Sequence, residues 1–243
     1  MAITAVSGAS LILGAFDVSP FTGSITDTPG EVKTLPYTTF ALKGYQGNAA
    51  SIRHGAFGFD GYGDYTATTG ISSVLNATTV GTQYAFIASL GGETVGDPAV
   101  IGRGIVSNIS QGSPVGELPT LKVGIACDTT YATRAYLAAP LASRTTSGLT
   151  GTAVAMTGPS ASQLAYAALC VTAASGTNLV VKVQSDDNSS FTSATDRITF
   201  STVSATGWQY SSVAGDLSTE THWRVVATIA SGTFSFACAI GVA

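Results

Sequence analysis

In His222–Ile229 the apolar residues Trp223, Val225, Ala227 and Ile229 share one parity, while His222, Arg224 and Thr228 take the other. A period of two belongs to a strand with one buried face, and a helix cannot present it. Thr233–Ile240 repeats the pattern with Phe234, Phe236, Cys238 and Ile240, and the short link Ala230-Ser231-Gly232 joins the two as a hairpin. Upstream, Leu164–Thr172, Leu179–Asp186, Arg197–Thr202 and Trp208–Ser211 give further short apolar runs separated by turn residues. Strands at this spacing predict a C-terminal β-sandwich.

The N-terminal part is also β-like but less regular. Its candidate strands are Ser10–Phe16, Thr38–Lys43, Ile52–Gly61, Tyr84–Ala88, Gly102–Ser110 and Leu121–Asp128, and its one candidate helix is Gly70–Ala77. Asp27–Tyr37 and Gly44–Arg53 read as long loops, which in a compact domain are usually functional or interface-forming. Arg134–Pro159 is small, polar and weakly periodic, and reads as a linker or domain-crossing segment. The chain is therefore divided into a domain at 1–140, a linker at 141–160 and a β-sandwich at 161–243.

Charge narrows the function classes. Only 10% of the 243 residues are charged, against roughly 25% in an ordinary soluble domain. A surface built on Ser, Thr, Asn and Gln offers little repulsion between copies and suits a subunit that packs on itself. A secreted β-protein with a Ser/Thr-rich surface is equally compatible with the composition. The net charge is −4, and the ten basic residues are scattered with no run, so a grip on phosphates is not expected. Cys127, Cys170 and Cys238 are odd in number and widely spaced, which points to core thiols rather than a zinc site or disulfide framework. The N-terminus lacks a basic signal-peptide start, and no apolar run has the length of a membrane span, so a protein made and kept in a cytoplasm is expected. The sequons at Asn76, Asn108 and Asn188 are read as chance.

The search for chemistry finds no catalytic, cofactor or metal residues to nominate. A Ser-His-Asp site needs a histidine to take a proton, and the two present, His54 and His222, read as surface residues with no GxSxG elbow in the chain. Asp186-Asp187-Asn188 has oxygens for calcium, but Asp and Asn between two strands more often close a turn on their own backbone. Gly58-Phe-Asp-Gly61-Tyr-Gly63 lacks the spacing of a phosphate loop, and its glycines read as a sharp strand end. Trp208, Tyr210 and Trp223, with Tyr62 and Tyr65 in the other part, are the candidates for a sugar platform. Trp223 is in phase with Val225 and Ile229 and reads as core, so a carbohydrate-binding or adhesion module rests on Trp208. An enzyme is not expected.

The order of the N-terminal features resembles the major tail proteins, the tail tube subunits, of long-tailed, siphovirus-like bacteriophages. The order runs from Phe16-Asp17-Val18-Ser19, through the strand Tyr37-Thr-Thr-Phe40 and the Gly-led aromatic strand Gly55–Tyr62, to the short helix near Gly70–Ala77, and the resemblance spans residues 8–130. Leu179-Val-Val-Lys-Val-Gln-Ser-Asp-Asp-Asn-Ser-Ser-Phe191 resembles the strand and turn of an add-on β-domain in some of these proteins, with Thr199–Val203 and Trp223–Phe236 in the matching places. The segment Asp27–Arg53 departs from the family in lacking its usual charged character.

The resemblance implies an all-β chain: an N-terminal tail-tube sandwich or barrel with one short helix, and an Ig-like or jelly-roll-like C-terminal sandwich. It implies a structural virion protein that self-assembles into stacked hexameric rings. The 1–140 domain would form the tube wall and the 161–243 domain would decorate the outside. The partners are then other copies of the chain and the tail proteins at the tube ends. DNA would pass through the lumen without specific binding, no membrane or cofactor would be involved, and the tail would be assembled in the host cytoplasm.

Overall fold

The computed structural model describes residues 8–37, 47–64, 80–113, 115–127, 133–145 and 148–243, with the backbone alone at 27–37 and 47–54. The expected strand Thr38–Lys43 and helix Gly70–Ala77 lie outside the described residues, as does Tyr65. The fold is all-β, in two antiparallel sheets.

The strands in chain order are β1 (Ser10–Leu13), β2 (Phe16–Asp17), β3 (Thr22–Tyr37), β4 (Gly47–Tyr62), β5 (Gln83–Ser89), β6 (Pro98–Gly112), β7 (Thr120–Cys127) and β8 (Thr133–Arg144). They continue with β9 (Leu149–Thr150), β10 (Val154–Ala155), β11 (Leu164–Ala174), β12 (Thr177–Asp186), β13 (Thr195–Thr199), β14 (Gly207–Ala214), β15 (His222–Ser231) and β16 (Phe234–Val242). A 3₁₀ turn, Ser19–Phe21, links β2 to β3. In the larger sheet the order is β14-β11-β16-β8-β6-β5-β1-β2, and a branch runs from β6 through β7 and β4 to β3. The smaller sheet is β10-β15-β12-β13, with β9 also on β15.

Three apolar layers follow from the alternation of each strand. In the N-terminal half, Leu11 and Leu13 of β1 meet Phe57 and Phe59 of β4, Phe86 of β5, Val100 and Val106 of β6, and Leu121, Val123 and Ile125 of β7. β1 and β4 are far apart in strand order, so a shared core requires the sheet to curl on itself. The rings of Phe57 and Phe86 stack at 4.1 Å between centroids within it. In the C-terminal half, Leu169 and Val171 of β11 and Phe234, Phe236 and Cys238 of β16 face Val181 and Val183 of β12 and Trp223 and Val225 of β15. A middle layer joins Ile12, Ile87, Ala99 and Ile101 to Leu137, Tyr166, Ala168, Cys170, Ala237 and Ala239. β5, β11 and β16 are thus covered on both faces, and their sequences are nearly continuous apolar runs.

Two expectations change. Asp27–Tyr37 and Gly44–Arg53, read as loops, belong largely to β3 and β4, which pair from Thr22↔Gly61 to Tyr37↔Gly47. Among the described residues β3 pairs with β4 alone, and an edge strand tolerates Pro29 and Pro36 and the bulge between Thr28 and Glu31. Those residues erase the alternation by which a strand is recognised. Likewise the linker reading of Arg134–Pro159 meets a 12-residue strand, β8, followed by the short β9 and β10 against β15. β8 bonds β6 on one side and β16 on the other, so the larger sheet passes through this segment. Two register shifts against β16, between Ala239 and Cys238 and between Cys238 and Phe236, break its period of two. Arg144 closes this irregular stretch. Its guanidinium donates to the carbonyls of Pro140 at 2.7 Å, Ala142 at 2.9 Å and Phe236 at 2.7 Å, and lies 4.2 Å from the centre of the Phe236 ring.

Gly14 turns β1 into β2 at φ +60°, where a Cβ would stand 2.7 Å from Tyr84 Cδ1 and 3.3 Å from Trp208 Cδ1, so no other residue fits without displacement.

Trp223 is fully buried, as its phase predicts, and its Nε1 has no hydrogen-bond partner among the described residues. Trp223→Phe therefore removes an orphan donor together with some ring volume, and is expected to change stability by less than about 1.5 kcal/mol. Trp223→Ala is expected to cost about 3–5 kcal/mol. Urea unfolding of the two variants, read as midpoints at constant slope, checks the contrast.

Candidate assembly surface

The residues with most to offer a partner lie at sheet edges and strand ends. Beyond Ala56 the β3–β4 ladder pairs with no third strand among the described residues, because β7 bonds β4 only from Ala56 to Tyr62. The result is a two-stranded ribbon extending from the curled N-terminal sheet. At the other end of the larger sheet, β14 bonds only β11 among the described residues, which leaves its second edge open there over eight residues containing neither Pro nor charge. Open ladders of this kind accept further strands unless something blocks them.

Exposed apolar side chains cluster at one end of the N-terminal sheet. Val115 and Leu118 stand in the β6–β7 connection at 103% and 67% exposure, and Tyr62, at 57%, ends β4 beside Thr120 at the start of β7. The amide of Gly63 donates to the Pro119 carbonyl at 2.9 Å, tying the two strand ends together. An apolar groove of about 360 Å³ lies nearby, lined by Leu11, Thr22, Gly23, Ile25 and Leu90. The stretch Gly58–Gly63 holds the end of β4 at Tyr62, and Gly61 is required because a Cβ there would collide with the Phe21 carbonyl.

The groups weighed for chemistry are placed as follows. Asp186 closes β12 at 3% exposure, and its carboxylate accepts the amides of Asn188 at 3.1 Å and Ser193 at 2.8 Å. Asn188 Oδ1 accepts the Ser190 amide at 2.9 Å. The acidic run is thus a pair of turns closed on their own backbone, as expected. Among the described residues no group of three or more His, Cys, Asp or Glu is placed to hold a metal ion. His222 begins β15 with Nδ1 2.9 Å from Thr221 Oγ1, and the Thr221 hydroxyl donates to the Asp187 carbonyl at 2.9 Å. The far end of that chain is a peptide carbonyl, whereas a triad needs a carboxylate there. His54 stands on β4 opposite Glu31. Arg197 bridges Ser185 Oγ and Glu220 at 2.8 Å each, a link between strand and loop.

Trp208 belongs to the middle layer with Tyr210, whose ring stacks on Tyr166 at 5.8 Å. In the ladder Trp208 is opposite Cys170, which faces that layer, whereas Gln209 is opposite Leu169, which faces the C-terminal core. A cavity of about 240 Å³ beside β14 is lined by Leu169, Val171, Trp208 and Gln209 among others. Cys170 and Cys238 are buried in separate layers. Burial pushes the Cys170 thiol up, and pushes that of Cys238 up to about 12 against the pull of Arg144, so both are inert packing groups. Among the described residues no helix is long and apolar enough to cross a membrane.

No family model matches the chain, and no curated protein matches it. Among solved structures it is similar to the Dit hub protein of phage SPP1 at 12% identity and TM-score 0.39, over 97% of this chain and 99% of that one. It is also similar to the sheath/tube terminator of an extracellular contractile injection system at 10% identity and TM-score 0.39, over 54% and 97%. A component of the phage p2 baseplate matches at 8% identity and TM-score 0.32, over 95% and 97%.

Asp186 and Asp187 answer pH in opposite directions. Desolvation alone would raise the Asp186 carboxyl, but the Ser193 amide, the hydrogen bond with Asp187 and the Asn188 amide outweigh it and hold it below the ordinary range. The same shared hydrogen bond, with the charge of Asp186, holds Asp187 above that range. A lowered carboxyl contributes stability above its unfolded pKa and loses it as pH falls through the folded value. The C-terminal half is therefore expected to lose stability as pH drops below about 4. Asp186→Asn should flatten that limb, as seen in thermal midpoints measured from neutral to acid pH.

Proposed function

We propose that this chain is a structural subunit of a phage tail, self-assembling into hexameric rings stacked as the tube through which DNA passes. The observation that carries the reading is the pair of open ladders, the β3–β4 ribbon and β14, in a chain with only 10% charged residues. A monomer in solution normally blunts such edges with charge, whereas an assembly removes them by pairing copies. The order of motifs from Phe16-Asp17-Val18-Ser19 to Gly55–Tyr62, and the Leu179–Phe191 stretch, support the same reading.

In this proposal residues 1–140 form the wall and residues 161–243 decorate the outside. The strands of six copies join into a closed barrel. The partners are further copies and the proteins that terminate the tube, and the subunits assemble in the host cytoplasm. Six copies at −4 carry 6 × −4 = −24 per ring. A wall of that sign lets a polyanion slide without adhering. The mechanism is geometric and electrostatic, and no side chain is assigned a chemical step.

Electron microscopy of the purified chain across a concentration series is expected to show rings or short tubes. Small monodisperse particles at every concentration, with no tube carrying this chain in virions, would sink the proposal.

A further inference from the structure

On the outer face of the smaller sheet Arg224 is held ready for an anion, and we infer that it is the centre of a binding site for a small hydroxylated carboxylate, a sugar acid. This goes beyond the assembly reading and does not depend on it, because one copy of the chain contains the whole site.

β15 turns Trp223 and Val225 into the C-terminal core, so His222, Arg224 and Val226 stand on the opposite face, where each is half-buried. The smaller sheet carries three cations, Lys182 on β12, Arg197 on β13 and Arg224 on β15. Lys182 meets Asp196 at 2.6 Å and Arg197 meets Glu220 at 2.8 Å. Arg224 meets no carboxylate among the described residues. It stands directly opposite Gln184, and its Nε donates to Gln184 Oε1 at 2.9 Å. Gln184 is itself fixed, since its Nε2 donates to Asp196 Oδ1 at 2.7 Å while Lys182 holds the other oxygen of that carboxylate. One edge of the guanidinium is thus pinned, and among the described residues neither Nη1 nor Nη2 makes a hydrogen bond.

Phe191 supplies the second support. Its ring centre lies 4.2 Å from Arg224 Cζ, and the residue belongs to none of the three apolar layers. Its backbone sits at φ +52°, a left-handed conformation that an aromatic side chain rarely adopts. Strain of that kind persists only where the surroundings impose it, and it gathers at sites that bind. Here the Asp186 carboxylate imposes it by accepting the Asn188 and Ser193 amides, and the Phe191 amide donates to the Asn188 carbonyl at 3.1 Å. The conformation places the ring against the guanidinium. A guanidinium stacked on one face and pinned at one edge loses little freedom when it binds.

The chemistry of the ligand follows. The free nitrogens of Arg224 carry donors only, in a planar fork that matches a carboxylate with two parallel hydrogen bonds. The Asp186 carboxylate in the adjoining turn disfavours a doubly charged phosphate, so a single negative charge fits best. His222 lies two residues away on the same face, roughly 7 Å along the strand. Its Nδ1 is engaged by Thr221 Oγ1, and its Nε2 makes no hydrogen bond among the described residues, which leaves it for a ligand hydroxyl. Val226, two residues away in the other direction, offers an apolar contact.

Saturation-transfer NMR tests the site, because it observes the ligand and works on a single copy and on an assembly alike. Glucuronate is expected to receive saturation from the full chain, and glucose, which lacks the carboxylate, to receive none. Arg224→Gln is expected to abolish the glucuronate signal. Arg224→Lys keeps the charge without the fork and is expected to weaken binding at least about fivefold. If neither variant folds, the comparison of glucuronate with glucose on the wild type still decides. No signal from glucuronate, or an equal one from glucose, would overturn the site. Tighter binding of inorganic phosphate, or of N-acetylglutamate amide as a stand-in for an acidic side chain, would overturn the sugar-acid assignment. None of these outcomes bears on whether the chain forms tubes.

Discussion

Everything in this fold depends on burying strands from both sides. Ile87 of β5 looks into the middle layer while Phe86 and Ala88 look into the N-terminal core. Cys170 and Tyr166 of β11 look into the middle layer while Leu169 and Val171 look into the C-terminal core. A strand with two apolar faces cannot lie on the surface, so one half must cover what the other leaves bare. The middle layer is that cover. It is built of Ile12, Ile87, Ala99 and Ile101 from one side and small residues such as Ala168, Ala237 and Ala239 from the other, and small residues let the sheets approach closely.

β8 makes this arrangement continuous. Its first half is bonded on both sides, to β6 and β16, and its second half follows β16 alone. The two register shifts change which face its residues present, so that Leu137 serves the middle layer and Ala138 and Ala139 serve the C-terminal core. Arg144 then satisfies carbonyls of that irregular stretch at the cost of its own desolvation, which lowers its pKa. Buried carbonyls left unbonded would be more costly than that.

The surface has the opposite character. With charge so sparse, the few ionic features stand out, among them a notch lined by the carboxylates of Asp17 and Glu93. The open ladder of β14 and the exposed Val115 and Leu118 add apolar and hydrogen-bonding capacity without charge. Such a surface offers little charge to repel a further copy.

Sequence alone determined the strands whose alternation is clean. β12 and β15 are legible from Val181, Val183, Trp223 and Val225, because one face of each is buried and side chains alternate with a fixed period, and β16 is legible from the large residues Phe234 and Phe236 alternating with small ones. The Asp186–Asn188 turn was legible for the same kind of reason, since short polar side chains bond their own backbone wherever they stand. Tertiary structure decided the rest. β3 and the outer part of β4 are held by a backbone ladder, which any residue except Pro can donate to and which leaves no hydrophobic signature. The bulges of β8 arise only because β16 lies beside it, and the face of Trp208 was fixed by its register opposite Cys170. Neither periodicity nor composition records which strand is a neighbour, and in this chain the neighbours determine where the surface opens for a partner.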